Sequence, residues 1–183
     1  MRSAPGLVWD ACSLLNLVAT RRASDILTVF GCPSYVVKQV REGEVRYLRP
    51  LPEEDRQGTL VTVDLAPLFD VGAFQQVELE VAEQALFVDF ATAIDDGEAR
   101  SLAVAVQRGL WLVTDDRACL RLAREYPTPV PTITTPDLMK YWSEQASVDT
   151  ATLTETIRRI QICANYHPRR VHPLNSWWVA NAP

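Results

Sequence analysis

Two short apolar runs in this chain end in aspartate and pass at once into segments of helical period. Leu7-Val8-Trp9 runs into Asp10, and Leu110-Trp111-Leu112-Val113 runs into Thr114-Asp115-Asp116. A strand with no polar alternation has no face to offer water, so it must be covered on both sides, as in a parallel sheet. The segments between predict the covering layers. Leu14, Leu15, Leu17 and Val18 recur at helical spacing after Ser13, a second helix is expected over 24–30, and a third runs from Ser34 through Val36, Val37 and Val40 toward Glu44. A short helix is expected over 65–71. Phe74, Val77 and Leu79 alternate with polar residues as a strand does. Residues 82–94 carry Ala82, Leu86, Phe90 and Ile94 on one stripe, and 97–108 form a helix closed by Gly109. Another helix follows Asp116, with Ala118, Cys119, Leu122, Ala123 and Tyr126 inward, and stops at Pro127. Residues 130–133 predict a last strand, and Thr135-Pro136 reads as an N-cap with proline at the first helical position. The expected fold is α/β: a parallel sheet covered on both faces by helices.

Composition narrows the partners. With 18 Lys and Arg against 23 Asp and Glu the net charge is −5, and 48% of residues are hydrophobic, which excludes a disordered chain. Bulk charge cannot hold nucleic acid or membrane here, so any phosphate partner must be met locally. A length of 183 residues suits one domain, 1–146, with a C-terminal extension over 147–183. That extension holds one amphipathic helix striped by Leu153, Ile157, Ile160 and Ala164, then a tail rich in His, Arg, Pro and Trp, including Trp177 and Trp178, which either pack back on the core or anchor a partner. Asp10 interrupts the apolar opening over 6–20, and Met1-Arg2-Ser3 leads into it with no cleavage site, so no membrane span and a cytoplasmic address are expected. Cys12, Cys32, Cys119 and Cys163 are scattered singly, which reads as reduced, mostly buried thiols rather than zinc ligands or disulfides. Residues 49–58, with Glu53-Glu54-Asp55, read as a solvated loop.

In an open parallel sheet, ligands bind beyond the carboxyl ends of the strands, where the strand order reverses. Asp10 and the Asp115-Asp116 pair fall there, and Glu98, in the first turn of its helix, can reach the same place. Each acid taken singly could be only a helix cap. Crowded together, they raise one another's pKa until a cation compensates. Oxygen-only ligation selects Mg²⁺ or Mn²⁺ over zinc, and such an ion activates water against phosphodiesters. Other chemistries lack their parts. No GxxxxGK[ST] or GxGxxG loop occurs, and a phosphatase working through an aspartyl-phosphate would want Asp where Cys12 stands. His167 and His172 lie only in the tail, so a core Ser or Cys nucleophile has no base. Arg117, Arg121 and Arg124 form a stripe beginning beside the acids, a candidate RNA track, and His167, Arg169, Arg170 and His172 offer further phosphate contacts.

The segments Leu7-Val8-Trp9-Asp10-Ala11-Cys12-Ser13, Asp95-Asp96-Gly97-Glu98-Ala99 and Val113-Thr114-Asp115-Asp116-Arg117, in that order, resemble the PIN-domain ribonucleases over about residues 5 to 140. The resemblance implies an α/β fold of three layers, with a central parallel sheet of four or five strands flanked by helices, and RNA cleavage with Mg²⁺ or Mn²⁺. In bacteria it also implies a toxin role with a small antitoxin partner. It assigns Asp10, Glu98 and Asp116 to the metal, with Asp115 adjacent and able to share the role of Asp116. Ser13 matches a hydroxyl residue near the ion. The remaining acid of the catalytic set is Glu44, with Glu42 as the alternative across Gly43. A homodimer remains open, and so does a second function: a catalytically inactive PIN-like module that binds RNA or protein.

Overall fold

A computed structural model of the chain describes residues 4–183; the reading of Met1 to Ser3 as no leader lies outside the described residues. The elements follow in chain order as β1 (Leu7–Trp9), α1 (Ala11–Ala19), α2 (Ala23–Phe30), β2 (Ser34–Val37), α3 (Lys38–Gly43), β3 (Tyr47–Leu48), β4 (Val61–Thr62), α4 (Ala66–Asp70) and β5 (Gln75–Val77). They continue as α5 (Val81–Phe90), α6 (Asp96–Arg108), β6 (Trp111–Val113), α7 (Arg117–Glu125), β7 (Thr132–Ile133), α8 (Thr135–Gln145), α9 (Thr150–Cys163) and α10 (Asn175–Asn181). Five strands make one parallel sheet in the order β5-β2-β1-β6-β7, and helices flank it. The α/β fold with a central parallel sheet and a C-terminal helix is therefore as the sequence predicts. No described helix is long and apolar enough to cross a membrane.

The sheet is built outward from β1. Leu7, Val8 and Trp9 have no exposed surface, and they pair with β2 on one side and β6 on the other, with Leu7 opposite both Ser34 and Trp111. Gly6 admits this close packing: a Cβ there would lie 2.9 Å from the Tyr35 ring and 3.2 Å from the Pro33 carbonyl. The chain first winds from β1 to β2 and β5, then returns to the other side for β6 and β7. The strand order reverses between β1 and β6.

Several expectations are corrected. The helix read from Ser34 toward Glu44 is strand β2 followed by the short α3. Ser-Tyr-Val-Val is too short for periodicity to separate strand from helix, and the β-branched pair favours the buried strand. The solvated loop over 49–58 lies between β3 and β4, a small antiparallel pair, and is pinned to α9: Arg158 reaches Glu53 at 2.7 Å and Arg159 reaches Glu54 at 3.0 Å. Helix α8 is capped by Thr134, not Thr135, in a reciprocal arrangement with Asp137. Of the cysteines, Cys119 and Cys163 are buried and Cys32 partly so, but Cys12 is exposed. The tail forms α10, and Trp178 is buried against Tyr166 with ring centroids 5.8 Å apart. Leu153, Ile157 and Ile160 of α9 and Trp178 join the same apolar cluster as the sheet.

Helix α6 ends as expected on Gly109, in the left-handed region at φ 63°. Its last residue, Arg108, crosses to α5. The guanidinium donates to both carboxylate oxygens of the fully buried Glu83, at 2.5 and 2.9 Å, and to the Glu78 carbonyl at 3.0 Å. Burial pushes the Glu83 carboxyl up, but the Arg108 bonds outweigh it and hold the group below its ordinary range. Arg108→Ala strands a buried carboxylate, with an expected cost of about 3 kcal/mol in urea unfolding at pH 7. The loss should shrink as pH falls through the depressed pKa of Glu83, because a carboxyl held low gives its stability only above its titration range.

Candidate active site

The carboxyl ends of β1 and β6 lie side by side. The Asp10 N–H donates to the Val113 carbonyl at 3.1 Å, one step beyond the strand ladder, so the residue after β1 is held as firmly as the strand itself. Asp10 also caps α1: its Oδ1 accepts from the Ser13 N–H at 2.7 Å. Its Oδ2 is buried and accepts no hydrogen bond from the described residues. Burial raises this carboxyl to about 7; the Thr114 side chain and the Ser13 amide draw it back, while the Asp115 charge adds to the rise.

Asp116 caps α7, accepting from the Cys119 N–H at 2.7 Å, and its own N–H donates to Thr114 Oγ1 at 3.1 Å. Glu98 stands in the first turn of α6, raised by burial and then by the charges of Asp116 and Asp95. Glu44 is raised by desolvation and then by Glu98. Its carboxylate lies over the start of α6, where a Cβ on Gly97 would fall 2.0 Å from Oε2. Glu42, the alternative, instead lines a cleft with Lys38 and Arg41. Between the two acids, only Glu44 stands beside Glu98.

Asp115 is different in kind. Its oxygens accept from the Thr135 N–H at 3.0 Å, Asn16 Nδ2 at 3.1 Å, Ser13 Oγ at 3.3 Å and the Tyr166 hydroxyl at 2.7 Å, and from the Thr135 hydroxyl as well. With its acceptor capacity filled by protein donors, it joins α1, α8 and the tail rather than facing a ligand. Sequence reasoning missed Asn16 and Tyr166 and read Thr135 only as a helix cap. Asn16 carried a signal, being a polar residue inside the apolar run Leu14-Leu15-Asn16-Leu17; Tyr166 carried none.

The acids act on their neighbours as a group. The buried Cys119 thiol is pushed up by desolvation and then by Asp10, Asp116 and Glu98. The Cys12 thiol is pushed up to about 12 by desolvation and then by the same acids and Asp115. Neither sulfur is a nucleophile near neutral pH. Among the described residues, no three His, Cys, Asp or Glu side chains already stand in ligating geometry. The donor chemistry nonetheless suits a hard dication, because Asp10 Oδ2 is a buried oxygen with no donor among the described residues, and Asp10, Asp116 and Glu98, which act together on Cys119, offer only oxygens. The stripe Arg117, Arg121 and Arg124 lies exposed along α7, starting next to Asp116. His172, expected as a phosphate contact, is instead committed to the fold: its Nδ1 accepts from the Leu174 N–H at 3.0 Å and its Nε2 meets Thr134 Oγ1 at 3.1 Å.

No family model matches the chain. No curated protein matches it either. Among solved structures it is similar to the crystal structure of PAE2754 from Pyrobaculum aerophilum, at 16% identity over 78% of this chain and 90% of that one, with a TM-score of 0.44.

The folded chain binds a proton on Asp10 far more tightly than an ordinary aspartate does. The stability that this proton contributes is therefore expected to be full below about pH 4 and to be lost as pH rises through about 7, where the buried group ionises. Asp10→Asn keeps the cap and removes the charge, so in EDTA its stability relative to wild type should rise from pH 4 to pH 8 by up to about 4 kcal/mol. Urea unfolding at both pH values reads this directly; an unchanged difference would mean that the carboxyl is not raised.

Proposed function

We propose that this chain is a divalent-metal-dependent ribonuclease that hydrolyses RNA phosphodiester bonds. The observation that carries the reading is Asp10 Oδ2, a buried carboxylate oxygen that accepts no hydrogen bond from the described residues, at the strand-order reversal and beside the charge of Asp115, while the nearby Cys119 thiol feels Asp10, Asp116 and Glu98 together. Asp10, Glu98 and Asp116 would hold Mg²⁺ or Mn²⁺. Glu44 stands beside Glu98 as the outer acid, and Asp115 positions α1, α8 and the tail around them. When bound, such an ion supplies Lewis acidity toward a phosphodiester and lowers the pKa of water. The chain's own part is to keep Asp10 ionised against its burial once a counter-charge arrives, and to orient Asp10 and Asp116 through their caps. Arg117, Arg121 and Arg124 give the RNA backbone its local positive charge. The resemblance to PIN-domain ribonucleases supports the same reading and extends it to a toxin silenced by a small antitoxin.

Two observations favour a second reading, a catalytically inactive module that binds RNA or protein: Asp116 is already used as a cap, and among the described residues no three acids stand in ligating geometry. The two readings separate on one set of measurements. Purified protein should cleave RNA with Mn²⁺ or Mg²⁺ and not in EDTA, and Asp10→Asn, Glu98→Gln and Asp116→Asn should each lower the rate by about 100-fold or more. Mn²⁺ should raise the melting temperature of wild type but not of Asp10→Asn. Cleavage indifferent to all three substitutions, or no Mn²⁺ response at all, defeats the nuclease reading.

Gly97 supplies a finer test. The atoms a methyl group would meet first there are the flexible end of Glu44, so Gly97→Ala should leave the melting temperature within about 4 °C of wild type while lowering Mn²⁺-dependent cleavage about 10-fold. Unaltered cleavage would remove Glu44 from the site.

A further inference from the structure

The C-terminal segment and α7 face each other across a groove of about 710 Å³ that opens beside Asp115. One wall is the exposed stripe Arg117, Arg121 and Arg124; the other carries His167 and Arg169, both exposed. We propose that residues 166–173 are the second wall of a groove for the phosphate backbone of single-stranded RNA, leading it to the acid cluster; this rests on the ribonuclease reading above.

The wall is built rather than draped. Tyr166 donates to Asp115 at 2.7 Å and packs its ring on the buried Trp178, and His172 is fixed between the Leu174 amide and Thr134. Those contacts fasten the far side of the groove to β6, α8 and α10, so the separation of the two basic walls is set by the fold. Arg21, Arg108, Arg158 and Arg159, on other surfaces, are paired with glutamates. In the groove, Arg117, Arg121 and Arg169 have no carboxylate partner among the described residues, and Arg124 has only its neighbour Glu125 at 3.6 Å. Asp115 is the one acid in the lining, and its oxygens are already filled. A chain of net charge −5 that leaves these cations unpaired on two facing walls has a local polyanion site. Guanidinium planes and an imidazole also offer the stacking surfaces that unpaired bases use and that a closed duplex cannot reach.

The test reads binding apart from cleavage. Full-length protein in EDTA is titrated into a 5′-fluorescein single-stranded RNA of about 12 nucleotides and followed by anisotropy across salt concentrations. Arg121→Glu and Arg169→Glu should each weaken binding about 10-fold near 0.1 M salt and flatten the salt dependence, while Arg56→Glu, the same charge change on a different surface, should not. Both sites are exposed, so thermal melts should match wild type. The assignment is overturned if Arg169→Glu binds like wild type, if all three substitutions weaken binding equally, if a duplex of equal length binds more tightly, or if poly-glutamate competes as well as RNA, which would make the groove a protein-docking surface. Arginine-dependent binding with no Mn²⁺-dependent cleavage would sink the nuclease reading and leave the groove; cleavage indifferent to Arg121 and Arg169 would do the reverse.

Discussion

The parallel pairing of β1 with β6 is the constraint on which the rest of this molecule depends. β1 is buried on both faces, and its pairing with β6 runs one residue past the strand, to the Asp10 N–H on Val113. A residue held there cannot swing its side chain to solvent. The carboxylate enters the interior because the ladder puts it there, and its pKa rises because water does not follow. The strand-order reversal then brings Thr114, Asp115 and Asp116 alongside, and α6, packed against β1 and β6, brings Glu98.

Two adjacent aspartates after the same strand serve different purposes, and the difference is one of hydrogen-bond supply. Asp115 receives donors from α1, α8 and the tail and so acts as a polar rivet, its charge spread over five bonds. Asp116 receives one backbone donor, from the first turn of α7, and its second oxygen remains available. The rivet also explains how a C-terminal segment comes to border the acids: Tyr166, more than fifty residues away in sequence, finds its partner on Asp115.

Much of this was legible in the sequence because the signals were local. Uninterrupted apolar runs ending in Asp10 and Asp115-Asp116 located the two central strands and the mouth of the sheet, and Gly109 marked the end of α6 correctly. β2 was not legible: four residues with Val36 and Val37 satisfy a strand and a helical stripe alike, and only pairing with β1 and β5 decides between them. The β3–β4 pair was also hidden, since its residues are mostly exposed and carry no alternation. Spacing does not separate Glu42 from Glu44; the folded chain sets the Glu44 carboxylate against the bare Cα of Gly97, a long-range contact that leaves no trace in the sequence. Tyr166 was illegible for the same reason, because a long-range hydrogen bond leaves no periodic trace.

Helix capping accounts for part of the acid cluster and fails at one atom. Asn and Ser cap a helix about as well as Asp, so the bond from Ser13 to Asp10 Oδ1 does not require a charge. Burying that charge, with Asp115 beside it, raises the carboxyl to about 7. An asparagine at position 10 would keep the cap and avoid the penalty, so stability alone gives no reason for an ionisable oxygen at Oδ2. On the proposed metal-dependent reading a counter-charge from outside the chain would supply one, since it would convert the most costly group in the sheet mouth into the one best placed to hold it.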